Sequence, residues 1–380
     1  MKAFSEILDE INIKEDDPLF YNKNVDLLLT SMNKENKSLD DIKIILSTAA
    51  RDNLTFLREK AEKLTRIHFG KNIQLYIPIY LSSECINSCI YCGFNLKRKI
   101  PRKTLSFEEA EREFERIAKT GMKHILLLTG EAPEVVDISY LERMIKLALK
   151  YFPQISLEIY PFDTERYKRL VDSGATGLYI YQETYNKNLY ASYHPYGPKS
   201  NFEFRLEAPE RAAEAGFKFV GIGILLGLDF WKRDFIFLLL HAAYLMKKFW
   251  QTDIGLSFPR IIPPENSNFI PPYSVSEKEL EHMIYATRII LENVGISLST
   301  RENAYFRDKM IGYGVTRMSA GSKTNPGGYT LSDENSTGSQ FDVCDRRSIP
   351  EVINSIIEKG YYPVFKDWEL SFNSVAEESI

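Results

Sequence analysis

The stretch IQLYIPIYLSSECINSCIYCGF, residues 73–94, joins a long apolar run to three cysteines, Cys85, Cys89 and Cys92. The chain has 4 cysteines in 380 residues, so this one segment takes nearly all of its thiols. An apolar run of this kind predicts a strand buried on both faces, as in a parallel sheet. The cysteines then fall on the loop just past the strand's C-terminal end, where barrel enzymes build their sites.

Outward from that strand the pattern repeats. HILLLTG (124–130), ISLEIYP (155–161), GLYIYQETY (177–185), FVGIGILLG (219–227), IGLSFPRII (254–262), ISLSTRE (296–302) and GVTRMSAGS (314–322) read as further strands. Amphipathic segments separate them, such as SFEEAEREFERIAKTG (106–121), with Ser106 and Glu109 as a capping box and Gly121 as the stop. About eight strands, each followed by a helix, predict an α/β fold of the (β/α)8 TIM type over residues 73–322. An open doubly wound sheet with a separate cap is the competing arrangement. Residues 1–72 read as a helical N-terminal extension that plugs or braces one end. Residues 323–380 read as a loop-rich C-terminal extension covering the active site: the Gly/Ser/Asn-rich KTNPGGYTLSDENSTGSQFD, the helix PEVINSIIEKG (350–360) and a tail with FKDWELS.

The bulk numbers exclude several classes of function. Net charge is -4 with both signs interspersed over 26% charged residues, which gives no basic field for nucleic acid or an anionic membrane. The start, MKAFSEILDEINIKEDD, lacks the basic flank and apolar core of a signal peptide. The run FIFLLLHAAYLM (235–246) is too short to span a bilayer. The expectation is a cytoplasmic protein that acts on a small molecule or another protein.

Gaps of three and two residues let thiolates from one loop converge and leave one metal position open. Structural zinc prefers a closed tetrahedral site and usually a second Cys pair or a His, and no His lies near this loop. Iron–sulfur clusters are held by thiolates in short spacings of this type, and an iron without a cysteine can bind substrate or cofactor.

With its Tyr91 before the last cysteine, CINSCIYCGF resembles the signature of the radical S-adenosylmethionine (SAM) superfamily. Beyond it, LLLTGEAP (126–133), YQETY (181–185), SFPRIIP (257–263), LSTRE (298–302), SKTNPGGY (322–329), CDRRS (344–348) and FKDWE (365–369) are together similar to the 2-iminoacetate synthase family, the tyrosine lyases of thiazole biosynthesis. The resemblance runs nearly end to end. It implies a [4Fe-4S] cluster on Cys85, Cys89 and Cys92 and a SAM bound at the open iron. It also implies cleavage of the Cα–Cβ bond of L-tyrosine to 2-iminoacetate and p-cresol for thiamine biosynthesis. The related maturase that makes carbon monoxide and cyanide carries a second cluster on three C-terminal cysteines, and here only Cys344 lies beyond the barrel.

The same resemblance assigns cofactor contacts to Tyr91, to Thr129, Gly130 and Glu131 after the second strand, to Gln182 and Glu183 after the fourth, and to Gly223 and Arg260. The residues' own chemistry gives the substrate carboxylate to Arg301, with Ser299 and Glu302 beside it, since Arg is the natural bidentate partner of a carboxylate. The alternative for the arginines is an internal ion pair with strand-end carboxylates. SKTNPGGY reads as part of a substrate lid, KRKIPRKT (97–104) as a solvated loop rather than a docking surface, and the five histidines as structural. The implied partners are L-tyrosine, thiazole synthase, and a flavodoxin- or ferredoxin-type electron donor. The rivals are a tryptophan lyase-like enzyme and a non-catalytic iron–sulfur scaffold.

Overall fold

The computed structural model describes residues 2–264, 269–330 and 338–366. Eight parallel strands form the barrel: β1 (Asn72–Ser82), β2 (His124–Thr129), β3 (Gln154–Glu158), β4 (Gly177–Glu183), β5 (Phe219–Ile224), β6 (Asp253–Ser257), β7 (Gly295–Leu298) and β8 (Arg317–Ser319). Each pairs with the next, and β1 pairs with both β2 and β8, so the sheet closes. The open-sheet alternative is thereby set aside. Closure leaves no unpaired edge, which suits short strands with little alternation.

Side chains sort by strand face. Ile77, Ile79 and Leu127 point to the helix layer, while Tyr76, Tyr80, Leu126, Leu128, Tyr179 and Phe219 fill the interior. Glycines on β5 make room for these rings: a Cβ at Gly221 would collide with the Tyr179 ring, and one at Gly223 with Tyr181 and the Ser257 carbonyl. At the N-terminal end Arg317 closes the interior, its guanidinium 4.0 Å from the Phe219 ring centroid and bonded to Gln74 and Asp253.

The strands stop sooner at their C-terminal ends than the apolar runs do. β5 ends at Ile224 and β8 is only Arg317–Ser319. Register shifts at Tyr80/Ser82 and Tyr181/Glu183 break the ladders at the same level. Past that level the backbone splays into loops and the inward positions turn polar.

The N-terminal helices lie along the flank of the barrel. Phe4 stacks on His241 of the helix Trp231–Lys248 at 4.1 Å, and the Ile45 carbonyl meets the His282 ring. No helix among the described residues is long and apolar enough to cross a membrane. The C-terminal segment from Gly338 crosses the mouth of the barrel, and Gly93 N–H donates to the Gln340 carbonyl at 3.1 Å. Farther along, the Cys344 and Asp345 amides donate to the Thr300 carbonyl, and Arg307 pairs with Asp345 in full burial. The chain then returns to the other end, where β9 (Tyr362–Val364) pairs with the start of β1. This strand was not anticipated, because YPV is only three residues with a proline at its centre. Residues 331–337 of the long loop, and FKDWELS beyond Lys366, lie outside the described residues.

Candidate active site

The cysteine loop is shaped by side chains that satisfy its backbone. Arg102 donates to the carbonyls of Ser83, Phe94 and Asn95 at 2.6, 2.9 and 2.7 Å, stapling both ends of the loop. Asn95 donates to the Cys89 carbonyl at 2.8 Å. The Tyr91 hydroxyl lies 2.7 Å from His194 Nε2. His194 Nδ1 faces the Tyr190 carbonyl, which only accepts, so Nε2 is bare and Tyr91 donates to it.

Cys85, Cys89 and Cys92 line one cavity of about 620 Å³. Among the described residues no three His, Cys, Asp or Glu side chains gather closely enough to hold a single metal ion. Three thiols that share one cavity suit a multi-iron cluster, where each binds a different metal. Burial pushes the Cys89 thiol up to about 12, so a bound cation is needed to hold it as thiolate.

The opposite wall of that cavity is β2 and its loop. A Cβ at Gly130 would collide with the Glu84 carbonyl, so glycine lets this loop press against the cysteine loop. Thr129 Oγ1 is buried there without a protein partner. Glu131 accepts from Asn87 Nδ2 at 2.6 Å. These groups fit a SAM molecule, which brings an ammonium and hydroxyl donors and acceptors.

Glu183 ends β4 with φ 71, the one non-glycine residue with positive φ among those described. Such strain is tolerated where the surroundings over-determine it. Here Asp234 holds the next turn, accepting from Thr184 Oγ1 at 3.0 Å and Tyr185 N at 2.8 Å. The Glu183 carboxylate faces the chamber with Lys199 Nζ at 2.6 Å and Arg205 at 3.8 Å.

Two further lobes open from the cysteine cavity, and Glu158, Tyr181 and Gln340 line all three. The lobe deepest in the barrel has Tyr76, Tyr80, Leu126 and Leu128 on its walls, with Ser299, Arg301 and Ser322 at its polar side. Arg301 stacks over Phe341, 3.3 Å from the ring centroid, and Ser322 Oγ is buried without a partner among the described residues. The Glu158 carboxylate makes no hydrogen bond or ion pair to any described residue, although its backbone belongs to the β3 ladder. Burial raises its carboxyl to about 7, with Arg301 opposing and Glu183 adding to the shift.

Four positions singled out in the sequence do not meet at this chamber. Arg260 pairs with Glu302, Nε lying 3.0 Å from Oε1, and also donates to the Val275 carbonyl. The two charges neutralise each other beside the chamber, so the internal ion pair is the correct reading for both. Gly223 makes room for the Tyr181 ring and lines none of the lobes. Gln182 is buried, neither amide atom is paired with a described residue, and it lines none of the lobes.

The comparisons with known proteins follow this geometry. Residues 79–239 match the family model described as the radical SAM superfamily, and residues 257–362 match the Biotin and Thiamin Synthesis associated domain. The chain is 38% identical over 341 residues to 2-iminoacetate synthase of Salmonella typhimurium, covering 89% of each protein. It belongs to the 2-iminoacetate synthase family of radical SAM enzymes. The Escherichia coli 2-iminoacetate synthase is 37% identical over the same coverage. Among solved structures, the FeFe-hydrogenase maturase HydG from Carboxydothermus hydrogenoformans superimposes with a TM-score of 0.83 at 34% identity, covering 96% of this chain and 83% of that one. Membership in the 2-iminoacetate synthase family makes the chain a lyase with a [4Fe-4S] cluster and SAM as cofactors.

Sequence reasoning passed over Glu158, Asn87, Lys199, Arg205, Tyr181 and Gln340. Glu158 had a usable signal: it is an acid at the end of an apolar strand run, like Glu183. Lys199 and Gln340 sit in loops whose composition points nowhere.

Proposed function

We propose that the chamber binds L-tyrosine against SAM and cleaves its Cα–Cβ bond to 2-iminoacetate and p-cresol, the supply of 2-iminoacetate for thiazole formation in thiamine biosynthesis. The observation that carries this reading is the deep lobe, aromatic and aliphatic on its walls with Arg301 and the unpartnered Glu158 at its polar side. When bound, the cluster and SAM supply a 5′-deoxyadenosyl radical that takes a hydrogen atom from the substrate amino group.

The chain's own residues bind and orient. Cys85, Cys89 and Cys92 hold the cluster, and Thr129, Gly130, Glu131 and Glu183 cradle SAM. Tyr91 braces the cysteine loop through His194. Arg301, flattened on Phe341 and flanked by Ser299, takes the substrate carboxylate. Glu158, whose carboxylate has no partner among the described residues, receives the substrate amino group and accepts its extra proton, for which a carboxyl near 7 is well matched. The aromatic walls take the ring. Gln340 and Phe341 cover the chamber and exclude water.

Because 2-iminoacetate hydrolyses readily, we further propose direct delivery to thiazole synthase. A flavodoxin- or ferredoxin-type protein supplies the electron, in a reducing cytoplasm where free thiols persist. The test is anaerobic turnover of the reconstituted, dithionite-reduced protein with SAM and tyrosine. p-Cresol formed in step with 5′-deoxyadenosine supports the reading. 5′-Deoxyadenosine without p-cresol sinks it, and skatole from tryptophan would replace it.

A further inference from the structure

Two segments form the outer face of the cysteine loop, the loop itself and the turn after the helix Lys187–Tyr193. They are bound together: Ser88 N donates to the Tyr196 carbonyl at 3.0 Å, Ile90 N to the Tyr193 carbonyl at 3.2 Å, and Lys199 N to Asn87 Oδ1 at 2.9 Å. On the solvent side this face exposes Ile86, Ile90, Leu96 and Tyr196, which keep 40%, 40%, 46% and 62% of their surface. Single exposed apolar residues need no explanation, but four on one bonded pair of segments form a patch.

The two segments themselves carry charge of one sign. From Cys85 to Phe107 and from Lys187 to Phe202 there is no Asp or Glu, although the whole chain carries net charge -4. The same stretches hold seven cations. Arg102 is spent inside the loop, Lys103 pairs with Glu109, and Lys187 with Asp9 and Glu203. Lys97 and Lys99 directly follow Leu96, are exposed, and make no ion pair with any described residue. An apolar centre with a basic rim that no described carboxylate neutralises matches an acidic protein partner.

The position says which partner. The inner face of the loop is the wall of the SAM cavity, so an electron for the cluster must arrive from outside, and Ile90 lies between Cys89 and Cys92 on that outside. We propose that the face of Ile86, Ile90, Leu96 and Tyr196, rimmed by Lys97 and Lys99, is the docking surface for an acidic one-electron carrier protein of the flavodoxin or ferredoxin class. This rests on the family chemistry and gives KRKIPRKT, read from the sequence as a solvated loop, a docking role. One electron passes from the reduced carrier to the oxidised cluster; the carrier is oxidised by one electron and no bond forms or breaks.

The test compares the reconstituted protein with its Leu96→Glu and Lys97→Glu/Lys99→Glu variants, using a reduced flavodoxin as probe. Two quantities are read: the flavodoxin Kd by calorimetry, and the rate of cluster reduction by its paramagnetic signal. Either variant should weaken binding and slow flavodoxin-driven reduction at least tenfold while dithionite-driven reduction is unchanged. In the unsubstituted protein, flavodoxin-driven reduction should also slow as salt rises from about 0.05 to about 0.3 M, as for exposed charges. Equal Kd and equal reduction rates in all three proteins, with no salt effect, overturn the proposal. Loss of thiazole synthase binding instead, with flavodoxin unaffected, also overturns it. Neither readout requires tyrosine, so a wrong substrate would show only as missing p-cresol. If a variant also loses dithionite reduction through a damaged loop, Tyr196→Glu and the salt series decide.

Discussion

The Tyr80 hydroxyl donates to Gln340 Oε1 at 2.6 Å, tying the barrel's first strand to the segment that crosses its mouth. The same Gln340 accepts from Gly93 of the cysteine loop through its carbonyl and donates its own N–H to the Thr324 carbonyl at 3.0 Å. One residue therefore joins the chamber wall, the cysteine loop and the cover. Tyr80→Phe removes one hydrogen bond worth about 1 kcal/mol. The expected outcome is a several-fold higher KM for tyrosine and more 5′-deoxyadenosine than p-cresol, measured by chromatography of both products.

Glu158 sets the pH dependence. In the free enzyme its carboxyl is raised to about 7, so it is protonated below that pH and anionic above. A substrate ammonium binds the anion. Hence kcat/KM for tyrosine should rise with pH to a plateau above about 7, since that ratio reports the free enzyme. Glu158→Gln should flatten this limb and lower the plateau at least tenfold while leaving SAM affinity within about twofold, as one lost charge-assisted bond is ~1.5–3 kcal/mol. An unchanged limb would exclude Glu158 as the titrating group.

Arg301 and Arg260 should separate cleanly. Arg301→Lys keeps the charge but loses the planar fork and the stacking on Phe341. Its effect should fall on KM for tyrosine, by at least tenfold, with little change in melting temperature. Arg260→Met strands the nearly buried Glu302 carboxylate and should cost about 2–4 kcal/mol of stability. The double variant with Glu302→Leu should recover much of that loss in denaturant titrations.

Gly130→Ala tests the fit between the second strand's loop and the cysteine loop. Its Cβ would collide with the Glu84 backbone carbonyl, which cannot swing aside like a side chain. Iron and sulfide content after reconstitution should fall well below that of the unsubstituted protein, with the secondary structure seen by circular dichroism retained.

How much of this was legible differs by kind of residue. The barrel showed in the sequence because its strands are buried on both faces and so read as unbroken Ile/Leu/Val runs. The cysteines showed because their spacing is local. Arg260 and Glu302 misled, since a charged residue at a strand end gives the same signal whether it meets a ligand or another side chain. Only the fold reveals that this pair satisfies itself. Lys199 and Gln340 could not be read at all: they reach the chamber from distant loops, by contacts that no periodicity encodes. β9 escaped for a related reason, as three residues pairing with a strand at the opposite end of the chain carry no local pattern.

That last strand also has a bearing on biogenesis. The beginning of β1 finds its partners β8 and β9 only when the end of the chain has been made. During synthesis the cysteine loop therefore waits on an unclosed half-barrel, without the Gln340 segment that later rests on Gly93. Iron delivery can use this open period, before the C-terminus is stitched to the first strand and the loading door is shut. A chain truncated before Gly338, which lacks the segment resting on Gly93, should thus take up iron readily and lose it as readily.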